Sequence, residues 1–79
     1  MTFYLVEMFD HQDSECYVTL DVGLRFEDAV KRMNDYILRL TNGEFSAWGF
    51  AGSGDYCYLK EQIPNGRVYE FQIREVTFH

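Results

Sequence analysis

Lysine and arginine are missing from the first 24 residues, where Glu7, Asp10, Asp13, Glu15 and Asp21 all fall. The rest of the chain holds eight acids and seven bases, so nearly all of the formal net charge of −6 sits in the first third. Counterion release from a phosphate backbone needs cations, so this third repels nucleic acid and excludes a basic nucleic-acid clamp. Cysteine is scarce. Cys16 and Cys57 cannot build a disulfide framework; they read as small buried hydrophobes of a reducing cytosol. Histidine is limited to His11 and His79, too few ligands for a zinc site. No apolar run approaches the roughly 18 residues of a membrane span. Residues 1–9 are apolar but have no basic leader segment and no small-residue cleavage site. The expected compartment is the cytoplasm. Internal repeats, linkers and low-complexity tracts are also lacking.

What is present is a dense apolar complement. Of 79 residues, 47% are hydrophobic and 18% aromatic, which excludes a disordered chain. The length supports one domain spanning 1–79. A domain this small buries only about 60–65% of its extended-chain surface, so its core must be tightly filled. Seven Phe, six Tyr and one Trp can fill it, each burying about 150–250 Å².

Periodicity divides the chain into strands around one helix. Thr2 to Phe9 is almost wholly apolar and suits a central strand covered on both faces. After the polar loop Asp10 to Glu15, residues 16–22 alternate. Cys16, Val18, Leu20 and Val22 point one way, and Tyr17, Thr19 and Asp21 the other, as in a half-exposed strand. From Phe26 to Leu40, apolar residues recur at spacings of three and four, the stripe of an amphipathic helix. Glu27 and Asp28 suit its first turn, and Gly43 suits a left-handed position just past its end. Arg25 is a poor N-cap. Strand character returns in Phe45–Ala51, Tyr56–Gln62 and Arg67–Phe78, separated by turns at Gly52–Asp55 and Pro64–Gly66. Within the last strand, Tyr69, Phe71 and Ile73 share one face and Val68, Val76 and Phe78 the other. The expected fold is α+β in the order β-β-α-β-β-β, one helix packed on a mostly antiparallel sheet. That order is similar to the element order of β-grasp, ubiquitin-like domains, and equally to a helix-on-meander sandwich.

Motifs for chemistry are sparse. Gly49 to Gly54 is glycine-rich, and exposed N–H groups of such a loop can cradle phosphate. A dinucleotide fingerprint needs a helix after the loop, whereas a tyrosine-rich strand follows here, so the segment reads as a hairpin turn. Asp10, His11, Asp13 and Glu15 lack the glycine hinge and ligand spacing of a calcium loop. Neither cysteine has a neighbouring His or Lys to activate it, and no nucleophile elbow surrounds Ser14, Ser46 or Ser53. The chain is therefore expected to be no enzyme and to hold no metal or cofactor.

Acidity and aromatics point instead to protein binding. An acidic surface steers basic partners, and Tyr and Trp are enriched in interface hot spots. The expected interface residues are Asp10, Asp13, Glu15, Tyr17 and Asp21, with Trp48 and Tyr56 beside the glycine-rich turn. In size and charge the chain resembles small inhibitors of the immunity, anti-restriction or anti-CRISPR class, of phage or mobile-element character. These mask a basic surface of a nuclease or another nucleic-acid-handling protein. Direct nucleic-acid or membrane binding is not expected. The alternative is a small-ligand-binding or structural, homo-oligomeric module that uses the glycine-rich turn.

Overall fold

The computed structural model describes residues 1–13, 16–62 and 66–78. Strands β1 (Thr2–Asp10) and β2 (Val18–Gly23) precede helix α1 (Phe26–Thr41). A single 3-10 turn (Phe45–Ala47) then leads into β3 (Trp48–Ser53), β4 (Tyr56–Glu61) and β5 (Val68–Thr77). The strands form one five-stranded sheet in the order β2-β1-β5-β4-β3, and every neighbouring pair is antiparallel. Thus β3, β4 and β5 form a meander, and β5 returns beside β1. The expected turn at Pro64 and Asn65 lies outside the described residues.

Alternation decides which side chains α1 covers. Val6 pairs with Ile73 and Met8 with Phe71, while Cys57 pairs with Phe71 and Leu59 with Tyr69. These residues share the helix face, and Val6, Leu59 and Phe71 are fully buried there. The helix contributes Ala29, Met33 and Ile37 to the same core, at the spacing its apolar stripe requires. It packs on β1, β2 and β5. Gly23 permits the closest approach: a Cβ there would lie 2.9 Å from the Ala29 amide nitrogen.

Helix α1 begins without a side-chain cap at Arg25 and ends with Asn42 in the left-handed conformation. Gly43, also at positive φ, donates its N–H to the Leu38 carbonyl at 3.1 Å, closing the last turn. Arg32 of α1 contacts Asp21 of β2 at 3.2 Å.

Two sequence expectations change. The first strand is covered by the helix on one face only. On its other face Phe3 packs against Phe78, and Phe9 against His11 and Tyr17. Among the described residues, neighbouring aromatics rather than a second layer shelter those rings. The alternation of the second strand is also broken. Val6 pairs with Asp21, but Glu7 pairs with Thr19, so Leu20 is an extra residue in a β-bulge. Asp21 therefore rotates onto the helix face, away from Tyr17 and Thr19.

Candidate functional site

The face of the sheet opposite α1 carries the densest polar constellation among the described residues. Cross-strand register places Glu7 beside Gln72, and Phe9, Glu70 and Tyr58 in one row. Tyr56 donates its hydroxyl hydrogen to Glu70 Oε1. His11 Nε2 lies 2.6 Å from Glu70 Oε2. Tyr17 joins from the β2 side, its ring 5.5 Å from that of Phe9. Two tyrosines and one histidine thus converge on one carboxylate.

The electrostatics follow from those contacts. The Tyr56 hydrogen bond, then the His11 contact, hold Glu70 below the ordinary carboxylate range. The same bond pushes the Tyr56 phenol up to about 12, because ionising it would set an anion against Glu70. Burial, reinforced by the Glu70 charge, also raises Tyr17. One turn of pleat away, Glu7 is 5% exposed. Arg74 grips it through Nε at 3.0 Å and Nη2 at 3.2 Å, and Gln72 adds a bond of 3.0 Å. Chiefly through Arg74, the Glu7 carboxyl is held below its ordinary value despite desolvation. A buried carboxylate needs such compensation.

The expected interface residues divide between several places. Tyr17 and Tyr56 meet on the open face around Glu70. Asp10 ends β1 beside Tyr69 and accepts the Gln12 backbone N–H at 2.9 Å; Asp13 is exposed in the same loop. Tyr17 and Tyr56 therefore share the open face and Asp13 stands in the loop beside it, whereas Asp10, opposite the core residue Tyr69, is turned toward the helix face. Glu15 lies outside the described residues. Asp21 is on the opposite face, its carboxyl lowered first by the Val22 backbone N–H and then by Arg32. Trp48 is 6% exposed and belongs to the core. Arg67 lies over its ring at 5.5 Å and is fixed by paired 2.9 Å bonds to Glu61.

The glycine-rich turn joins β3 to β4 as a hairpin. Gly52 has φ of +147°, and a Cβ there would lie 2.2 Å from the Tyr56 carbonyl oxygen. Conformation and close approach both demand glycine. Beneath the turn, between α1 and the hairpin, a cavity of about 460 Å³ is lined by Met33, Ile37, Phe50, Gly52 and Cys57. Burial raises the Cys57 thiol, which disfavours the reactive thiolate. Among the described residues, no three His, Cys, Asp or Glu side chains are grouped to hold a metal ion. No helix among them is long and apolar enough to cross a membrane.

Sequence reasoning missed Glu70, His11, Glu7 and Arg74 as members of one face. A signal existed. Glu7 is the only charge between Thr2 and Phe9, and Glu70 interrupts the aromatic run Tyr69-Glu70-Phe71. A charge in a central strand needs a partner on a neighbouring strand. No family model, curated protein or solved structure matches the chain.

Proposed function

We propose that the chain is a small acidic protein-binding module. In this reading it masks a basic surface of a nuclease or other nucleic-acid-handling protein, in the manner of immunity, anti-restriction or anti-CRISPR inhibitors. One observation carries the proposal: Tyr17, Tyr56 and His11 converge on Glu70 on the uncovered sheet face, with Asp10 ending β1 and Asp13 on the adjoining loop. The aromatic rings offer flat faces for guanidinium and ammonium groups. The carboxylates offer charge of the matching sign. On the strands themselves Glu7 is paired with Arg74, so the acids of residues 10–15 supply the excess. The same aromatic face would suit unpaired bases, but stacking sites for nucleic acid work inside a basic groove. Asp13, exposed in the loop beside this face, opposes phosphate.

Surface plasmon resonance against an immobilised nine-residue arginine peptide tests the reading. The triple variant Asp10→Asn, Asp13→Asn, Glu15→Gln is expected to lower the on-rate several-fold. Added salt should reproduce much of that loss, because exposed charges are screened within about 8–10 Å. Tyr17→Ala is expected to raise the off-rate instead. An on-rate indifferent to both salt and the triple variant would contradict the proposal.

A further inference from the structure

The two edges of the sheet are built differently. The β2 edge carries the Leu20 bulge and the Asp21–Arg32 pair, devices that discourage strand addition. The β3 edge carries neither. Residues 45–54 read Phe-Ser-Ala-Trp-Gly-Phe-Ala-Gly-Ser-Gly, ten positions without a charge or a proline, in a chain of net charge −6. The Ala47 carbonyl accepts the Gln62 N–H at 2.9 Å. Alternation from that bond and the β3–β4 register turns Gly49 and Ala51 toward β4 and Phe50 outward. The Phe50 N–H and C=O, together with the Trp48 carbonyl, face the open edge. Phe50 is 45% exposed on the helix face, and its ring meets that of Phe45, 48% exposed, at 5.7 Å.

We propose that the β3 edge pairs with the β3 edge of a second copy of this chain, antiparallel about a two-fold axis at Phe50. Charge permits a second copy as the occupant. Any self-contact on the acidic loop would bring like charges together, whereas positions 45–54 carry no charge of their own, Glu44 and Asp55 standing just outside them. The register selects the axis. Residues directly opposite must share a sheet face, so Phe50 opposes Phe50 and Gly49 opposes Ala51. The Phe50 amides and carbonyls then exchange hydrogen bonds. On the open face only a glycine and an alanine meet, leaving no bulk to hold the strands apart. On the helix face the Phe45 and Phe50 rings of both copies form one cluster over the mouth of the cavity. One short strand edge closes less surface than a standard specific interface, so the association is weak and concentration-dependent. The pairing uses an edge and leaves the open face around Glu70 uncovered, so it is independent of the function proposed above.

Sedimentation equilibrium of the whole chain tests the pairing. The average mass is expected to rise from 9.4 kDa toward twice that value between about 10 and 500 µM. Phe50→Lys places like charges across the axis and should move the midpoint up by at least about tenfold, as an opposed like-charge pair in a strand ladder does. Val22→Lys, at the other edge, should leave the midpoint unchanged. Hydrogen exchange of the wild-type chain gives a readout free of mutation: the Phe50 amide should gain protection as concentration rises. A mass fixed at 9.4 kDa throughout would overturn the proposal and leave the edge to an extended segment of another protein. A dimer that Phe50→Lys leaves intact, or that Val22→Lys weakens equally, would also overturn it.

Discussion

Glu70 organises the open face because three donors, Tyr56 of β4 and Tyr17 and His11 from the connection between β1 and β2, reach it at once. The consequence is measurable at alkaline pH. The Tyr56 phenol, pushed up to about 12, should ionise about two pH units later than an unperturbed tyrosine, whose pKa is about 10. An ultraviolet titration of the phenolate band should resolve this late step, and Glu70→Gln should return it toward 10. A folded-state pKa above the unfolded one also means stability that is complete below about pH 10 and is lost as pH climbs toward 12. The carboxylates act in the opposite direction. Glu7 and Glu70 are held below their ordinary range by Arg74 and by Tyr56 respectively. An unfolded chain takes up protons near pH 4.3 that the folded chain refuses, so stability is full above that value and falls as pH descends through the lower folded pKa values. Urea midpoints from pH 7 to pH 3 should trace that fall. Glu70→Gln should flatten the part that Glu70 contributes.

Helix α1 and its strands were legible because their apolar spacing is local. The stripe through Ala29, Met33 and Ile37 reads directly as a buried face, and the helix runs from Phe26 as its periodicity implies, closing one residue later at Thr41. Met33 is 2% exposed, so Met33→Ala should cost about 2–5 kcal/mol in chemical denaturation. The glycine-rich turn was legible as a hairpin for a similar reason. Its demand at Gly52 is steric, and Gly52→Ala should destabilise by more than about 1 kcal/mol, because both the backbone conformation and the Tyr56 carbonyl oppose a Cβ. The bulge was not legible. One extra residue at Leu20 leaves no mark in composition, yet it moves Asp21 to the other face of the sheet. Nor was the Glu70 constellation, because Tyr17, Tyr56 and Glu70 come together only once β1, β2, β4 and β5 are in register. Trp48 illustrates the remaining ambiguity. An aromatic beside a turn serves an interface or a core equally well by sequence, and here it fills the core under Arg67.

At the scale of the molecule, one layer of helix over one sheet leaves a whole sheet face without cover. A small domain with 14 aromatic residues can shelter that face with its own rings, and this one does so around Glu7 and Glu70. The face is consequently aromatic, with Asp10 at the end of β1 and Asp13 in the loop beyond it. Its opposite side, the outer surface of α1, mixes Asp28, Lys31, Arg32 and Asp35 and offers no comparable excess of one sign. The account therefore stands on where a basic partner touches the chain. Amide chemical-shift mapping tests this most directly. The nitrogen-15-labelled protein is titrated with the nine-residue arginine peptide, and separately with a ten-nucleotide single-stranded DNA. The account predicts that the peptide shifts the amides of Asp10, Tyr17, Tyr56, Glu70 and Gln72 while the DNA shifts none of them. Peptide shifts centred on Lys31, Arg32 and Asp35, or binding of the DNA to the open face, would contradict it.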